Sequence, residues 1–504
     1  MTAAAPSMRS RALLAVGLTV TFYLLAIVIA LALIALPIAV WAAEGRGNIW
    51  VTIAMVGTGL AILRAIVPER ARFEPPGPEL TREAHPRLHA LLDDVAEAAG
   101  ERGADAVYLD ADVNASVFEH RRRRIMLLGL PLLATLAADE LRAVIAHEYG
   151  HFKGGDTRFS AWIWRTRVAV LKTVARLAES ESWFRRNIVR WPFELYAKLF
   201  LRITNADSRR AEFAADALAA RVASPDAAGR ALRRVEAVGP VWEPFWLREA
   251  VPLLEARRRP PLAAGFAAMT AHRELASALD EIVQTDIKTR EPDPYASHPT
   301  LRQRLEALGV AVEASAPPPA EHPAVELLDD VAELEGRLLG LHFGDEVRGF
   351  PLTPWEQAGD VHLQRLRELG ERFGGAFGDR ALGDAAQLAR DLPAARDALR
   401  AALPEEDRGA PDDELDAFAL EVLGACAACA AVRGGATVTA PPGEPIRLHH
   451  AGATLEPWAL LAPVAEGRAG TETWTQHPVV AALAREPLHV PAQPPAPAPP
   501  QRVG

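Results

Sequence analysis

The sequence contains little cysteine and no excess of positive charge, and each absence excludes a class of protein. Only 2 of 504 residues are cysteine, which excludes a disulfide framework and a cysteine-rich zinc array and suits a reducing compartment. The formal net charge of −10 argues against nucleic acid as a partner. Apolar residues make up 50% of the chain, which excludes extensive disorder. A mean hydropathy of +0.03 excludes a chain that lies mostly inside a membrane.

The N-terminal region is apolar enough to anchor the chain in a membrane. Residues 13–43 carry no charge, and this run exceeds the ~20 residues that a helix needs to cross the hydrocarbon core. A secretory signal is the alternative, but its apolar region has only about 7–15 residues. A second apolar run follows at 49–63. We therefore predict a transmembrane hairpin over residues 1–72, with spans at about 13–41 and 49–67.

Basic residues lie before the first span of this hairpin and at or after the end of the second. Arg9 and Arg11 precede the first span, and Arg64, Arg70 and Arg72 lie at or after the end of the second. The positive-inside rule then places the N-terminus and the large remainder of the chain in the cytoplasm. The predicted location is the inner or plasma membrane, multi-pass, with the lipid bilayer as a partner.

The remainder of the chain is predicted to be mainly α, with a small sheet (α+β). Residues 83–99 show helical spacing, and short apolar runs between residues 106 and 130 predict the sheet. Residues 139–154 return to a helical period.

Composition divides this remainder into segments. A linker rich in proline and alanine at 314–323 marks a domain boundary. We predict a first soluble domain at 73–313, a helical accessory domain of unknown role at 324–486 and a proline-rich disordered tail at 487–504.

The most informative motif is HEYGH at residues 147–151, on the helix predicted at 139–154. Residues four apart share a helix face, so the imidazoles of His147 and His151 can both reach one zinc ion. Glu148 then lies beside the metal, where it can take the proton of a zinc-activated water that attacks a peptide carbonyl. A chance match on a solvated helix is the alternative, because the five-residue pattern alone is weak evidence.

A catalytic zinc usually has a third protein ligand. Thr157 occupies the position, six residues after His151, at which a metzincin has histidine, and this excludes that class. Glu212 and Asp216 lie four apart on one face of an alanine-rich helical segment. Two carboxylates on a packed surface need a metal ion or arginine as a partner, whereas a solvated acidic pair is the alternative.

Four separated motifs together resemble the HtpX-like and CAAX prenyl endopeptidase-like family of membrane-associated gluzincin metallopeptidases. In chain order they are NAS at 114–116, HEYGH at 147–151, EFAAD at 212–216 and SHPTLRQR at 297–304. The resemblance extends from about residue 83 to residue 308. It implies a gluzincin-type core with a small sheet beside the HExxH helix and one Zn²⁺ per chain.

The resemblance also implies a metal site and its supporting residues. His147, His151 and Glu212 correspond to the three zinc ligands. Asp216 corresponds to a residue that steadies a zinc-binding imidazole, and Arg304 to one that pairs with the carboxylate of Glu212.

Three further roles concern the reaction itself. Glu148 corresponds to the general base and acid, and His298 to a residue that donates a hydrogen bond to the developing oxyanion. Asn114 lies on the strand at which the family holds an extended substrate backbone. Among the four His-Pro dipeptides of the chain, only the one at His298 is followed six residues later by arginine.

The predicted function is therefore a membrane-anchored zinc metalloendopeptidase that acts on membrane-associated or misfolded proteins. The alternative is a catalytically silent, membrane-tethered binding or sensor protein that keeps the peptidase core as a scaffold. The intact Glu148 argues against that alternative, because this carboxylate is not a zinc ligand.

Two weaker patterns remain open. Cys426 and Cys429 form CAAC in an alanine-rich helical stretch, where core packing is favoured over redox chemistry or metal binding. Residues 121–124 form a basic run after the predicted edge strand. A solvated hairpin is favoured there, and contact with anionic lipid headgroups is the alternative.

Overall fold

The computed structural model describes residues 8–66, 73–153, 190–405 and 407–490, together with 166–168, 170–172 and 174–175. Contacts divide the chain into two compact units, formed by residues 1–239 with 278–329 and by residues 240–277 with 330–504. The predicted domain bounds remain predictions, and the structure places residues 240–277 with the C-terminal part of the chain. Most of the predicted tail and the last residue of the second predicted span lie outside the described residues.

The described part of the chain is mainly helical with two small sheets, which confirms the predicted fold class. Its α-helices are α1 Met8–Glu44, α2 Ile49–Ile66, α3 Pro86–Ala99, α4 Leu130–Thr135, α5 Ala138–Lys153, α6 Arg190–Val222, α7 Pro225–Phe245, α8 Val251–Glu255, α9 Leu262–Ala271, α10 Arg273–Thr289, α11 Leu301–Leu308, α12 Val331–Phe343, α13 Gly359–Phe373, α14 Ala385–Arg390, α15 Leu392–Ala402, α16 Asp412–Arg433, α17 Pro457–Ala465, α18 Glu472–Thr475 and α19 Pro478–Leu483. Short 3-10 turns lie at Ala324–Leu327, Asp345–Gly349, Trp355–Gln357, Gly374–Phe377 and Leu382–Asp384, and a π turn at Trp246–Ala250.

The strands form two three-stranded sheets, β1 Ala106–Asp110, β2 Ala115–His120 and β3 Arg123–Gly129 in the first unit and β4 Thr437–Thr439, β5 Arg447–His450 and β6 Ala453–Leu455 in the second. In the first sheet β3 is central, parallel to β1 and antiparallel to β2. β2 is therefore an edge strand, and the sheet expected between residues 106 and 130 is confirmed.

Two described helices are long and apolar enough to cross a bilayer, Val16–Glu44 within α1 and Asp412–Arg433, which is α16. They differ in packing, since 22% of the apolar window of the first is buried and 67% of that of the second. The second predicted span forms the 18-residue helix α2, which packs along α1 with Gly59 against the carbonyl of Ala30. The multi-pass topology and its orientation remain predictions.

The first half of α6 also packs on this hairpin. Phe22 of α1 contacts the rings of Phe193 and Tyr196 at centroid distances of 6.4 and 5.6 Å, and the Tyr196 hydroxyl donates to the carbonyl of Leu18. The opposite face of this helix half carries three exposed apolar side chains one turn apart, Trp191, Leu195 and Leu199. α6 therefore packs on the hairpin with its first half and on α5 with its second half.

The second half of α6 packs closely against α5. A Cβ atom at Gly150 would lie 2.7 Å from the Cα of Ala215, so only glycine allows this approach. The two helices run antiparallel, because His147 faces Asp216 and His151 faces Glu212. The glycine of HEYGH and the alanine of EFAAD thus bring the two motifs together.

The segment predicted as a linker at 314–323 is bound to the first unit. Arg234 donates to the carbonyl of Pro318 at 2.8 Å, and the N–H of Ala316 donates to Asp280 at 2.7 Å. Proline-rich composition predicted its irregular backbone but not these hydrogen bonds, which come from residues distant in sequence.

In the second unit, α16 is the central helix. Its alanine-rich middle is surrounded by α13, α14, α15 and α17, and the core contains the fully buried Trp474. The indole N–H of Trp474 donates to the carbonyl of Leu382 at 2.8 Å. Cys426 and Cys429 lie buried in this core as free thiols.

Candidate metal centre and active site

Two helices place three potential metal ligands around one point. His147 and His151, one turn apart on α5, have ring centroids 4.9 Å apart. Glu212 on α6 faces both, with carboxylate oxygens 3.5 Å from Nε2 of His147 and 3.7 Å from Nε2 of His151. Ligand atoms of His147, Glu148 and His151 also lie within 4.8 Å of one another.

These separations fit a zinc site. Ligand atoms about 2.0–2.1 Å from a tetrahedral zinc lie about 3.4 Å apart, close to the two measured distances between imidazole and carboxylate. Two imidazoles and one carboxylate also form a donor set that zinc favours. The residues present therefore fit one Zn²⁺ ion, held by His147, His151 and Glu212.

Asp216 and Arg304 support the ring of His147. Nδ1 of His147 lies 2.9 Å from Asp216, so the ring donates its Nδ1 proton there and leaves Nε2 for a metal. The guanidinium of Arg304 makes two hydrogen bonds to Asp216, at 2.8 and 2.6 Å. Arg304 also lies 3.7 Å from Glu212, within ion-pair distance, so it pairs with both carboxylates and donates its hydrogen bonds to Asp216.

His298 and Arg304 are positioned by the start of α11. Thr300 caps this helix by accepting from the N–H of Gln303, whose side chain accepts in return from the N–H of Thr300. This capping box places His298 two residues before the cap and Arg304 one turn into the helix. Nδ1 of His298 lies 3.2 Å from Glu212, and its side chain is 66% exposed.

The charges of the site shift the pKa values of its residues in opposite directions. Burial raises the pKa of Glu148 to about 7 and lowers that of His151 to about 4. Burial also lowers the pKa of His147, but hydrogen bonds to Asp216 and Glu212 raise it by more, to about 9. The two carboxylates therefore favour a positive charge at His147, which a proton or a metal ion can supply.

A cavity of about 500 Å³ joins these residues to the edge of the sheet. All the predicted site residues line it: Asn114, His147, Glu148, His151, Glu212, Asp216, His298 and Arg304. Asn114 precedes β2, and its carbonyl accepts from the N–H of Gly129 at 2.7 Å. A Cβ atom at Gly129 would collide with the backbone of Asp112 and Asn114, so glycine allows this approach. Asn114 therefore lies at the start of the edge strand rather than within it.

Several cavity residues were not identified from the sequence. Glu236 and Arg290 lie in its wall, 3.6 Å apart, and the apolar wall includes Leu132, Ala143, Val144, Ala219, Ala228, Ala231, Leu232 and Val235. The amphipathic pattern of α7, which supplies five of these ten residues, indicates a buried face but not that this face borders a cavity. The cavity becomes visible only when α7 is placed beside α5 and α6, which line the same space.

The comparisons with known proteins agree with the geometry. Residues 82–311 match the sequence profile of Peptidase family M48, and this range contains all the site residues. No curated protein and no solved structure matches the chain. The match supports the assignment of residues 82–311 to peptidase family M48, a family of zinc metallopeptidases.

Proposed function

We propose that this protein is a membrane-anchored zinc endopeptidase that cleaves extended segments of membrane-associated or misfolded proteins. The observation that carries the proposal is the convergence of His147, His151 and Glu212, with distances of 3.5 and 3.7 Å from the imidazoles to the carboxylate, beside Glu148. A zinc ion held there supplies a Lewis acid that polarises a peptide carbonyl and acidifies water.

Within this site Glu148 moves the proton. Its pKa of about 7 allows it to take a proton from the attacking water near neutral pH and to give it to the leaving amine. His298, on the exposed rim of the cavity, donates a hydrogen bond to the oxyanion that develops on the substrate. Asp216 and Arg304 orient His147 and do not contact the substrate.

The edge strand beside the cavity supports an extended substrate. β2 pairs only with β3 within the described residues, so its outer edge is free to pair with a peptide backbone. Asn114, at the start of this edge, lies where such a peptide would reach Glu148. Most backbone groups of a stably folded protein are already paired with one another, and this favours unfolded segments as substrates.

Membrane anchoring is proposed from α1, α2 and the first half of α6. Many large apolar side chains of the hairpin are exposed, among them Leu24, Val28 and Leu31 of α1. The exposed stripe of Trp191, Leu195 and Leu199 on α6 continues this surface. We further propose that the N-terminus and the peptidase domain predicted at 73–313 face the cytoplasm.

The proteolysis experiment compares two carboxylates of the same cavity. Full-length protein, Glu148→Gln and Glu236→Gln are assayed on casein and on an unfolded membrane-protein segment, with and without a chelator. We expect Glu148→Gln to lose about 10²–10⁴-fold in activity, as loss of a general base does, and Glu236→Gln to keep most of it. Equal activity of Glu148→Gln and wild type would contradict the proposal and favour the silent binding protein.

Anchoring and orientation have a separate test. We expect the protein to stay with membranes after alkaline carbonate washing, and a C-terminal tag to be reachable only from the cytoplasmic side. Release by carbonate would contradict the anchor, and a tag reachable from outside would contradict the orientation.

A further inference from the structure

The turn between β2 and β3 has an unusual sequence for its conformation. Its two residues, Arg121 and Arg122, both adopt left-handed backbone conformations, with φ of 49° and 69°. A two-residue turn with this geometry favours asparagine and glycine, because other side chains collide with the backbone there. Turn formation therefore does not account for two arginines at these positions.

The charges of this tip, defined as Arg121, Arg122 and Arg123, have no ion-pair partner in the described residues. All three side chains are exposed, and no described carboxylate lies within 4.0 Å of any of them. The next residue differs, since Arg124 is buried, pairs with Glu101 at 3.2 Å and lies over the ring of Phe152. Arg124 is thus part of the fold, whereas the tip presents three positive charges to an external partner.

The chain places the tip on the same side of the first unit as the hairpin. Phe73, the first described residue after α2, contacts Phe118 and His120 at 5.5 and 5.9 Å between ring centroids. These two residues lie on β2, next to the tip. Because Phe73 follows the end of α2 closely in sequence, this end of the sheet is close in the chain to the hairpin.

The C-terminal end of α5 lies at the same end of the sheet. Phe152, which contacts Arg124, is next to the last described residue of α5. Because α5 and α6 are antiparallel, the C-terminal end of α5 lies toward the half of α6 that packs on the hairpin. Phe73 and the C-terminal end of α5 thus both contact residues next to the tip.

We propose that Arg121, Arg122 and Arg123 bind the phosphate groups of anionic lipids in the leaflet from which the hairpin emerges. The proposal rests on the membrane anchoring proposed above. Guanidinium groups bind phosphate oxygens through paired, charge-assisted hydrogen bonds, and the surface potential of an anionic leaflet attracts arginine within a Debye length. The contact holds one end of the edge strand β2 at the membrane surface, so a substrate paired with β2 is presented close to the bilayer.

The test uses full-length protein in nanodiscs of phosphatidylcholine alone or mixed with phosphatidylglycerol. Arginine modification by phenylglyoxal is followed by mass spectrometry. We expect modification of Arg121 and Arg122 to slow at least about threefold in the anionic discs. Arg221 is the internal control, because it is exposed in the last turn of α6, at the end away from the hairpin, and its rate is expected not to change.

A double variant separates the lipid contact from the turn. Arg121→Asn with Arg122→Gly installs the residues that this turn prefers, so the hairpin should fold at least as well. Wild-type amides at residues 119–124 are expected to exchange hydrogen more slowly in anionic discs, and the variant is expected to lose that difference.

The outcomes separate the two proposals. Protein that stays in the discs but shows equal Arg121 modification in both lipids contradicts the tip proposal alone. Protection in phosphatidylcholine discs by soluble glycerol phosphate also contradicts it, since the ligand would then be a free phosphate. Protein that does not remain in the discs contradicts the anchoring and, with it, the lipid contact.

Discussion

Two helices of this chain carry pairs of potential metal ligands one turn apart, and the two pairs have very different surroundings. On α5, His147 and His151 line a cavity and face the carboxylate of Glu212. On α16, Cys426 and Cys429 lie in an apolar core, where Cys426 packs against glycines of neighbouring elements.

The difference shows that helical spacing alone does not make a metal site. Burial raises the pKa of Cys426 to about 12 and that of Cys429 to about 11, so the thiolate that binds metal is disfavoured. At His147, two carboxylates from another helix favour a positive charge. Donors that converge from a second element make the first pair a candidate metal site, and their absence among the described residues leaves the second pair as core.

Removing Glu212, the ligand that α6 contributes, should have the largest effect on zinc affinity and activity. We expect Glu212→Ala to lower zinc affinity and proteolysis by more than about a hundredfold, since even residues behind the ligands contribute about 10–100-fold. The matched change is Cys426→Ala with Cys429→Ala, for which we expect zinc content and activity to stay at wild-type levels. Zinc titration and the proteolysis assay, applied to the wild type and the two variants, measure zinc affinity and activity. Loss of zinc binding in the cysteine variant would contradict the conclusion that Cys426 and Cys429 are core residues.

The residue that orients His147 should have the next largest effect. Asp216→Asn removes the carboxylate shared by His147 and Arg304, so we expect zinc affinity to fall about 10–100-fold with the fold intact. Asp207→Asn, on the same helix and paired with Arg210 near the surface, is expected to change affinity less than twofold. Competition with a zinc-sensitive dye measures the difference, and equal affinities of the two variants would contradict this role.

The close contact between α5 and α6 should be sensitive to one methyl group. Gly150→Ala places a Cβ atom within 2.7 Å of Ala215, which overpacks the interface and should cost about 1–3 kcal/mol of stability. Gly239→Ala in α7 is the control, because no atom outside its chain neighbours and its own helix backbone lies within 4 Å of a Cβ there, so the change should cost less stability than Gly150→Ala. Thermal unfolding of both variants checks the prediction, and a Gly150→Ala protein as stable as wild type would contradict the packing.

The smallest effect concerns a buried carboxylate of the second unit. Burial raises the pKa of Glu335 from 4.5 to about 7, while its carboxylate accepts from the N–H of Ala263 at 2.7 Å. Between pH 4.5 and 7 the folded protein keeps a proton that the unfolded chain has released, so this residue makes stability fall as pH rises through that range.

Glu335→Gln should therefore flatten this dependence, since the amide oxygen accepts the same hydrogen bond. Glu333→Gln, exposed on the same helix, should keep the wild-type slope. Unfolding midpoints measured between pH 5 and 8 distinguish the two, and identical slopes for both variants would show that Glu335 is ionised when folded.

Local sequence predicted what depends on local structure. The helical period located α5 with His147, Glu148 and His151 on it, and short apolar runs located the first sheet. The spacing of Glu212 and Asp216 indicated an acidic pair on one helix face. The roles of these two residues and of Asn114, His298 and Arg304 came from the resemblance, because nothing near them in the sequence indicates the distant elements that they meet.

Other features could not be predicted because they arise from packing over long separations. The cavity wall formed by α7, the hydrogen bonds of Arg304 to Asp216, and the grouping of residues 240–277 with the C-terminal part of the chain are of this kind. The free charge of Arg121 is another, since the sequence alone does not distinguish it from the buried Arg124.

X-ray absorption at the zinc edge of the purified protein tests the central claim most directly. The predicted result is about one zinc per chain with only nitrogen and oxygen neighbours at about 2.0–2.2 Å, from two imidazoles and the carboxylate of Glu212. A spectrum dominated by sulfur at about 2.3 Å, or a protein that binds no zinc, would contradict the assignment of the metal to α5 and α6.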